Sequence, residues 1–425
     1  MTSQRTVVVT GIGAITPLGT DAPSTWQAML AGTSGITPIE ADWAASLDVR
    51  IAGQITLDLQ TVLDRVQMRR MDRFAQLGVV AATQAWTDAG FQLVSARTDP
   101  SNGLDPDRIG VTQGTAIGGL NTIISQWEVL KDKGPRRVTP FLAPMLMPNA
   151  GAAHIGLLIG ARAGVRTPVS ACASGSEAIA IALEMIRSDQ ADVVVAGGAE
   201  SIVHPLPLAA FAVMRAASRR NEEPTRASRP WDVDRDGFVF AEGATSLVLE
   251  SLEHAQARQA HIYGTVLGAG ISADAVDMVK PDQSGQELAL RRALVDAHVA
   301  PADIMHINAH ATSTPAGDLT EAYAIRNVLG DDTDHVVVTS TKSMVGHLLG
   351  AAGALETMAA LLALHDRTVP PTINLDNPEH DLPIDIAANV SRPLPSTGRL
   401  VALNNSFGFG GHNACVVVSN DNQNN

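Results

Sequence analysis

Strand-like apolar runs that break into glycine or polar turns recur along the whole chain, with helical patterns between them. "RTVVVTGIGA" reads as a buried strand ending in glycine, "RIGVTQGTAIGG" as a second and "ADVVVAGGAES" as a third. "FAQLGVVAATQAWTDAG" has helical apolar spacing and a glycine stop. "GATSLVLESLEHAQARQA" is strand then helix, and "IMHINAH", "HVVVTSTKS" and "LVALNNSFGFGG" are strands opening into polar loops. Such continuous apolar runs, spaced by helices, predict an α/β protein with mostly parallel strands buried on both faces. The order strand, glycine turn, buried helix occurs in both halves and suggests a duplication.

At 425 residues the chain is long enough for two or three domains, or for one large duplicated one. The net charge of -14 argues against general nucleic-acid binding, which wants a basic surface. No run of about 18 apolar residues is present for a membrane span. "MTSQRTVVVTGIGAITPLG" lacks the basic and then apolar regions of a signal peptide. Two cysteines, Cys172 and Cys415, make no disulfide framework, and the expected location is a reducing cytoplasm. Ser218–Gly237, "SRRNEEPTRASRPWDVDRDG", is the most charged stretch and reads as a surface loop; the tail "SNDNQNN" reads as frayed.

Cys172 stands where "TPVSA", read as a strand, turns into a helix with apolar residues at Ile179, Ala182, Leu183 and Ile186. A helix N-terminus favours a thiolate, and Ala171, Ala173, Ser174 and Gly175 leave room for a substrate. A small buried core thiol fits the same segment. Cys415, in "NACVVVS", reads as a strand interior.

His310, in "INAHATSTPAGD", and His347, in "STKSMVGHLLGAAGALETM", both sit among small residues at strand ends, where open α/β sheets bind ligands. Lys342, five residues before His347, is surrounded by small and apolar groups and needs an acid partner; Glu321 is a candidate. The loop "NNSFGFGGHN" offers backbone N–H groups to an anionic site. Other patterns fail. "GIGAIT" lacks the third glycine of a dinucleotide fingerprint, and "DVDRDG" lacks the glutamate that closes a calcium loop. No G-x-S-x-G is present, and no cysteines and histidines have zinc-ligand spacing, so no metal site is expected.

These segments together resemble the β-ketoacyl-acyl-carrier-protein synthases, condensing enzymes of the thiolase superfamily. The likeness is to the synthase II type of bacterial dissociated fatty-acid synthesis, with stretches like actinobacterial members. It runs from "VVVTGIGAITPLG" through "VSACASGSEAI", "RPWDVDRDGFVFAEG", "NAHATSTPAGD" and "STKSMVGHLLGAAG" to "NNSFGFGGHN". It implies a five-layer α-β-α-β-α fold from two similar halves, here residues 1–257 and 258–425, with the nucleophile in the first and both histidines in the second. It implies a homodimer with the active site near the interface.

The resemblance also implies roles. Cys172 attacks the acyl thioester and holds the chain. His310 and His347 donate hydrogen bonds to the malonyl thioester oxygen as carboxylate is lost. Lys342, paired with Glu321, organises the site. The backbone N–H groups of Cys172 and Phe409 form an oxyanion hole, Thr312 and Thr314 hold the phosphopantetheine arm, and the Phe409 ring gates the acyl channel. Ile117 and Phe211 line the acyl pocket; Arg69, Arg70, Arg136, Arg137 and Arg215 surround the tunnel mouth and meet acidic acyl carrier protein. No cofactor is required, because substrates ride on the carrier's phosphopantetheine; a structural monovalent cation is a further expectation. Thiolases carry a second cysteine in the C-terminal glycine loop, and synthase III and chalcone-type enzymes use Cys-His-Asn; this chain has "GFGGHN" and His347. Two alternatives are a ketosynthase of polyketide or specialised lipid assembly and a non-catalytic ketosynthase partner, the latter opposed by retention of Cys172. Ala311 stands where many members have glycine, which matters if that backbone needs positive φ.

Overall fold

The computed structural model describes residues 4–93 and 104–421. From Asn422 on, the tail expected to fray lies outside them. Eleven strands form the main sheet: β1 Val7–Ile15, β2 Ile109–Gly114, β3 Gly164–Arg166, β4 Val193–Glu200, β5 Gly243–Ser251, β6 Gly264–Ala273, β7 Ile304–Asn308, β8 Val337–Thr339, β9 Asp385–Ile386, β10 Val401–Gly408 and β11 His412–Ser419. Their order is β9-β8-β7-β10-β11-β6-β1-β5-β4-β2-β3. β1 and β6 pair at the centre, Val7 opposite Val266.

From that centre the two arms are built alike. On one side β1–β5 and β5–β4 are antiparallel, and β4–β2 and β2–β3 parallel. On the other, β6–β11 and β11–β10 are antiparallel, and β10–β7 and β7–β8 parallel. The expectation of mostly parallel strands is therefore corrected: the inner pairings are antiparallel. A strand covered on both faces is a continuous apolar run in either direction, so β5, with all nine residues buried, carries no sign of its orientation.

Five helices complete the layers: α1 Arg73–Asp88, α2 Ser174–Arg187, α3 Gln283–Ala297, α4 Pro315–Leu329 and α5 Ala352–His365. α1 covers β1, β5 and β4 on one outer face; α3 covers β6 and β11 on the other and packs on α4. α2 and α5 lie between the arms, touch each other and meet strands of both. This is the five-layer α-β-α-β-α arrangement. α5 has no polar face because every residue from Ala352 to Leu364 is buried. Truncating one of its leucines, such as Leu361, leaves a cavity costing about 2–5 kcal/mol.

Local chemistry sets the ends. The Asp72 carboxylate caps α1 by accepting from Phe74 N, and the chain leaves that helix through Gly90 at φ 83. The charged stretch after Ser218 is only partly a surface loop: Arg229, Trp231, Asp232 and Arg235 are buried. Their charges go inside because they pair, Arg229 with Asp232 at 3.0 Å and Arg235 with Asp318 at 3.5 Å. Among the described residues no helix is long and apolar enough to cross a membrane.

Candidate active site

Thr167–Ser170 is not strand, as the sequence suggests; β3 stops at Arg166. The chain then makes a 3-10 turn, Ala171–Ala173, and enters α2 at Ser174. Ala171 has φ 51, a left-handed conformation that costs an alanine about 1 kcal/mol and turns the next residue outward. The Ser174 hydroxyl fastens the turn, accepting from Ser170 N at 2.9 Å and donating to Ala171 O at 2.7 Å. Cys172 thus sits at the mouth of α2 with its thiol facing a cavity of about 460 Å³.

His347 reaches the thiol from the other arm. Its Nε2 lies 3.0 Å from Cys172 Sγ, and its backbone N–H donates to Val239 O at 2.7 Å. The Phe238 ring meets its imidazole edge-on at 5.5 Å. His310 follows β7, and its ring lies 5.4 Å from that of His347 at 83°. One ligand-type atom from each of Cys172, His310 and His347 falls within 4.8 Å of the others.

Glu321 and Lys342 depart from expectation. Lys342 Nζ is paired with Glu356, not with Glu321; both partners are 1% exposed. Glu321 instead accepts from His310 N at 2.8 Å and Ala311 N at 2.7 Å, and from Asn405 Nδ2 at 3.0 Å. It holds the backbone of the His310 loop. Pairing could not be read from the sequence because Glu356 comes from α5, 14 residues after Lys342. The signal was a lone acid inside the apolar run "AGALETMAALLALH". Glu200 is the other carboxylate without a sequence signal. It accepts from Ala116 N at 2.7 Å, Thr115 Oγ1 at 3.1 Å and Gly350 N at 3.2 Å, tying the two arms behind the cavity.

The glycine loop closes over the thiol. The Phe409 N–H reaches the Cys172 thiol. Gly408 must lack a side chain: a Cβ there would lie 2.8 Å from Ser170 O and 3.0 Å from Cys172 N. That close approach holds the glycine loop against the backbone of Ser170 and Cys172. The Phe409 ring stacks on Phe211 at 6.1 Å and 15°. Ile117 and Phe211 line the cavity below it. Thr312 and Thr314 line the approach, their hydroxyls 3.2 Å apart. Positive φ falls on Ser313, at 70°, and not on Ala311, so alanine at 311 is unstrained. Arg215 is exposed on the cavity lining. Arg69, Arg70, Arg136 and Arg137 are exposed but do not line it, and Arg70 stacks over Phe141 at 5.3 Å.

Burial decides the protonation state. It pushes the Cys172 thiol up to about 12, against the pull of Lys342 and the Phe409 N–H. The thiolate expected from the helix N-terminus is therefore not the resting form: desolvation outweighs the dipole. Burial, and then the Lys342 charge, hold both His310 and His347 well below the usual histidine range. The site at rest is a neutral thiol facing two neutral imidazoles. Such a site transfers a proton from sulfur to Nε2 only as the sulfur forms its new bond.

Comparison with known proteins agrees with this geometry. Residues 4–255 match the family described as beta-ketoacyl synthase, N-terminal domain, and residues 263–376 match its C-terminal domain. The chain is 44% identical to the 3-oxoacyl-[acyl-carrier-protein] synthase 2 of Vibrio cholerae, over 98% of this chain and 99% of that protein. It is 43% identical to the protein of that name from Synechocystis, over 97% of this chain and 98% of the other. Among solved structures, the ishigamide ketosynthase/chain length factor superposes with a TM-score of 0.89 at 33% identity, covering 98% of this chain and 99% of the other. A beta-ketoacyl synthase from Burkholderia phymatum gives 0.88 at 33% identity, covering 97% and 99%. The shared fold, the two matched domains and the full-length relatives together show that this chain belongs to the β-ketoacyl synthase family, acyltransferases of the condensing type.

Proposed function

We propose that this enzyme catalyses the decarboxylative Claisen condensation of malonyl-acyl-carrier protein with an acyl chain held on Cys172, giving a 3-oxoacyl-carrier protein two carbons longer. The observation that carries the reading is the meeting of Cys172 Sγ and His347 Nε2 at 3.0 Å, with His310 beside them, in a largely apolar cavity. Cys172 attacks the incoming thioester, His347 Nε2 takes the thiol proton, and the departing pantetheine sulfur receives it. The Cys172 and Phe409 amides face the oxyanion of that step. In the second half-reaction the two imidazoles, His347 now as its Nε2–H tautomer, turn a ring N–H toward the malonyl thioester oxygen and stabilise the enolate left by loss of carbon dioxide. The enolate carbon attacks the acyl-Cys172 carbonyl, and the sulfur leaves as a thiolate that takes one proton from solvent, restoring the neutral thiol. Lys342 acts through its charge and Glu321 through the His310 backbone; neither bonds to substrate. Thr312 and Thr314 hold the pantetheine arm, and Phe409 swings from Phe211 to admit the chain past Ile117.

Several features of the assembly belong to the same reading. Acyl carrier protein is the partner, met by Arg215 at the cavity mouth and by Arg69, Arg70, Arg136 and Arg137. The enzyme works as a homodimer. β3 is a terminal strand of the sheet, and Leu157, Val165 and Val169 beside it are 72%, 41% and 51% exposed. A second copy of that strand would pair with it and cover them. The halves divide between residues 257 and 258, where a short helix ends at Ala257 and the chain starts toward β6. A structural monovalent cation is part of the same reading. It would balance the buried carboxylates. The location is cytoplasmic.

Intact-protein mass spectrometry after incubation with acyl-carrier proteins of graded chain length tests the reading. One acyl adduct on the wild type, none on Cys172→Ala, and its discharge by malonyl-carrier protein to a single 3-oxoacyl product are expected. No adduct at any chain length would overturn it. Repeated extension without reduction would favour polyketide assembly.

A further inference from the structure

The residues that make the reaction centre also have the composition of a transition-metal site. Cys172, His310 and His347 carry no zinc spacing in sequence, since 175 positions separate the thiol from His347. The fold nevertheless brings one sulfur and two ring nitrogens within 4.8 Å of one another. Tetrahedral zinc takes a thiolate at about 2.3 Å and imidazoles at about 2.0–2.1 Å, which sets its ligand atoms roughly 3.4–3.6 Å apart. The Sγ–Nε2 separation of 3.0 Å is shorter than that edge, and all three atoms lie within 4.8 Å of one another.

We propose that Cys172, His310 and His347 bind a soft divalent cation, zinc foremost, in the unacylated enzyme, and that this binding and acylation of Cys172 exclude each other. Three protein ligands beside an open cavity are the arrangement that leaves zinc a fourth position for water. The His347 Nδ1 atom has no hydrogen-bond partner, so nothing holds the ring against using Nε2 as a ligand. The same lack of a supporting partner makes the site weaker than a dedicated zinc centre. Cys172 loses its thiol proton to solvent as the metal–sulfur bond forms, one proton for each ion. Lys342 opposes the added charge, while Glu200 and Glu356 offset it. Once Cys172 carries an acyl group its sulfur is no longer a thiolate donor, and the ion is released.

The test needs no turnover, so it stands or falls apart from the condensing reading. Zn2+ titrated calorimetrically into the full chain, in buffers of different ionisation enthalpy, should bind one ion per chain with release of one proton. Co2+ should give a thiolate-to-metal charge-transfer band in the near ultraviolet. Alkylation of Cys172 with iodoacetamide, which leaves the sequence intact, should remove the band. Cys172→Ser should do the same and weaken Zn2+ by on the order of 100-fold or more. His310→Asn and His347→Asn should each weaken it by more than about tenfold. Zn2+ affinity unchanged by alkylation, or a Co2+ complex without the charge-transfer band, would overturn the proposal.

Discussion

The two arms of the molecule use the same backbone device and put it to different ends. In the first, the 3-10 turn Ala171–Ala173 leads into the 14 residues of α2; in the second, Leu349–Ala351 leads into the 14 residues of α5. Each turn starts with a non-glycine residue in the left-handed region, Ala171 at φ 51 and Leu349 at φ 45. The next position is Cys172 in one arm and Gly350 in the other. Cys172 opens on the cavity, whereas a Cβ on Gly350 would lie 2.2 Å from Ala116 N. Two residues before the turn the relation reverses: His347 in the second arm stands where the first has Val169. Neither arm holds a reaction centre alone. The packing of α2 on α5 supplies it: one strained turn presents the Cys172 thiol, while its counterpart packs close enough for Glu200 to bind Gly350 as well as Ala116.

Removing the difference at the first turn has the largest expected effect. Cys172→Ala makes both turns inert, and condensation should fall by more than about a thousandfold, read as product formed from acyl- and malonyl-carrier protein. Product at the wild-type rate would sink the assignment of the nucleophile. The second arm is broken hardest at its buried ion pair. Lys342→Met leaves Glu356 buried without its partner, and a loss of about 3–5 kcal/mol is expected from the urea midpoint. Glu356→Gln should couple with it in a double-mutant cycle; strict additivity would mean the pair is not coupled.

Adding a side chain at the second turn is a smaller insult. Gly350→Ala should destabilise by about 1–3 kcal/mol through overpacking against Ala116, with the acyl adduct on Cys172 still formed by the folded fraction. An unchanged thermal midpoint would show that the turn has room the geometry denies it.

The smallest effect separates the arms by acid sensitivity. Asp192 precedes β4 and pairs with Arg5 at 2.6 Å and Arg108 at 2.9 Å; at the matching position before β10 stands buried Leu400. The Arg108 hydrogen bond leads in holding the Asp192 carboxyl well below its ordinary value. Its folded value is thus lower than its unfolded one, so its contribution is present above about pH 4 and is lost as pH falls through the folded value. The stability gap between wild type and Asp192→Asn, followed by urea unfolding, should close as pH drops below about 4. A gap that widens in acid would reverse the sign.

Much of the site was legible because its signals are local. The start of the apolar helical pattern marks Cys172, although the strand read before it is absent; the small residues around His310 and His347 mark chain ends open to a ligand, and the ordered motifs point to one family. The partner of Lys342 was not legible: Glu321 and Glu356 are both acids within reach in sequence, and only the packing of α5 chooses between them. The loop after Ser218 misled for a related reason. Arg229, Asp232 and Arg235 look solvated until Asp318 and the neighbouring carboxylates are seen to meet them inside.

By itself the sequence determined the α/β class, the repeated strand–turn–helix order and the candidate residues of the site. Periodicity, turn chemistry and motif order are properties of neighbours along the chain. Tertiary structure alone decided the antiparallel centre of the sheet, the Lys342–Glu356 pair, the meeting of Cys172 with His347 and the neutral resting state of the site. Each of these depends on which surfaces exclude water from one another, and desolvation is set by residues far apart in the chain.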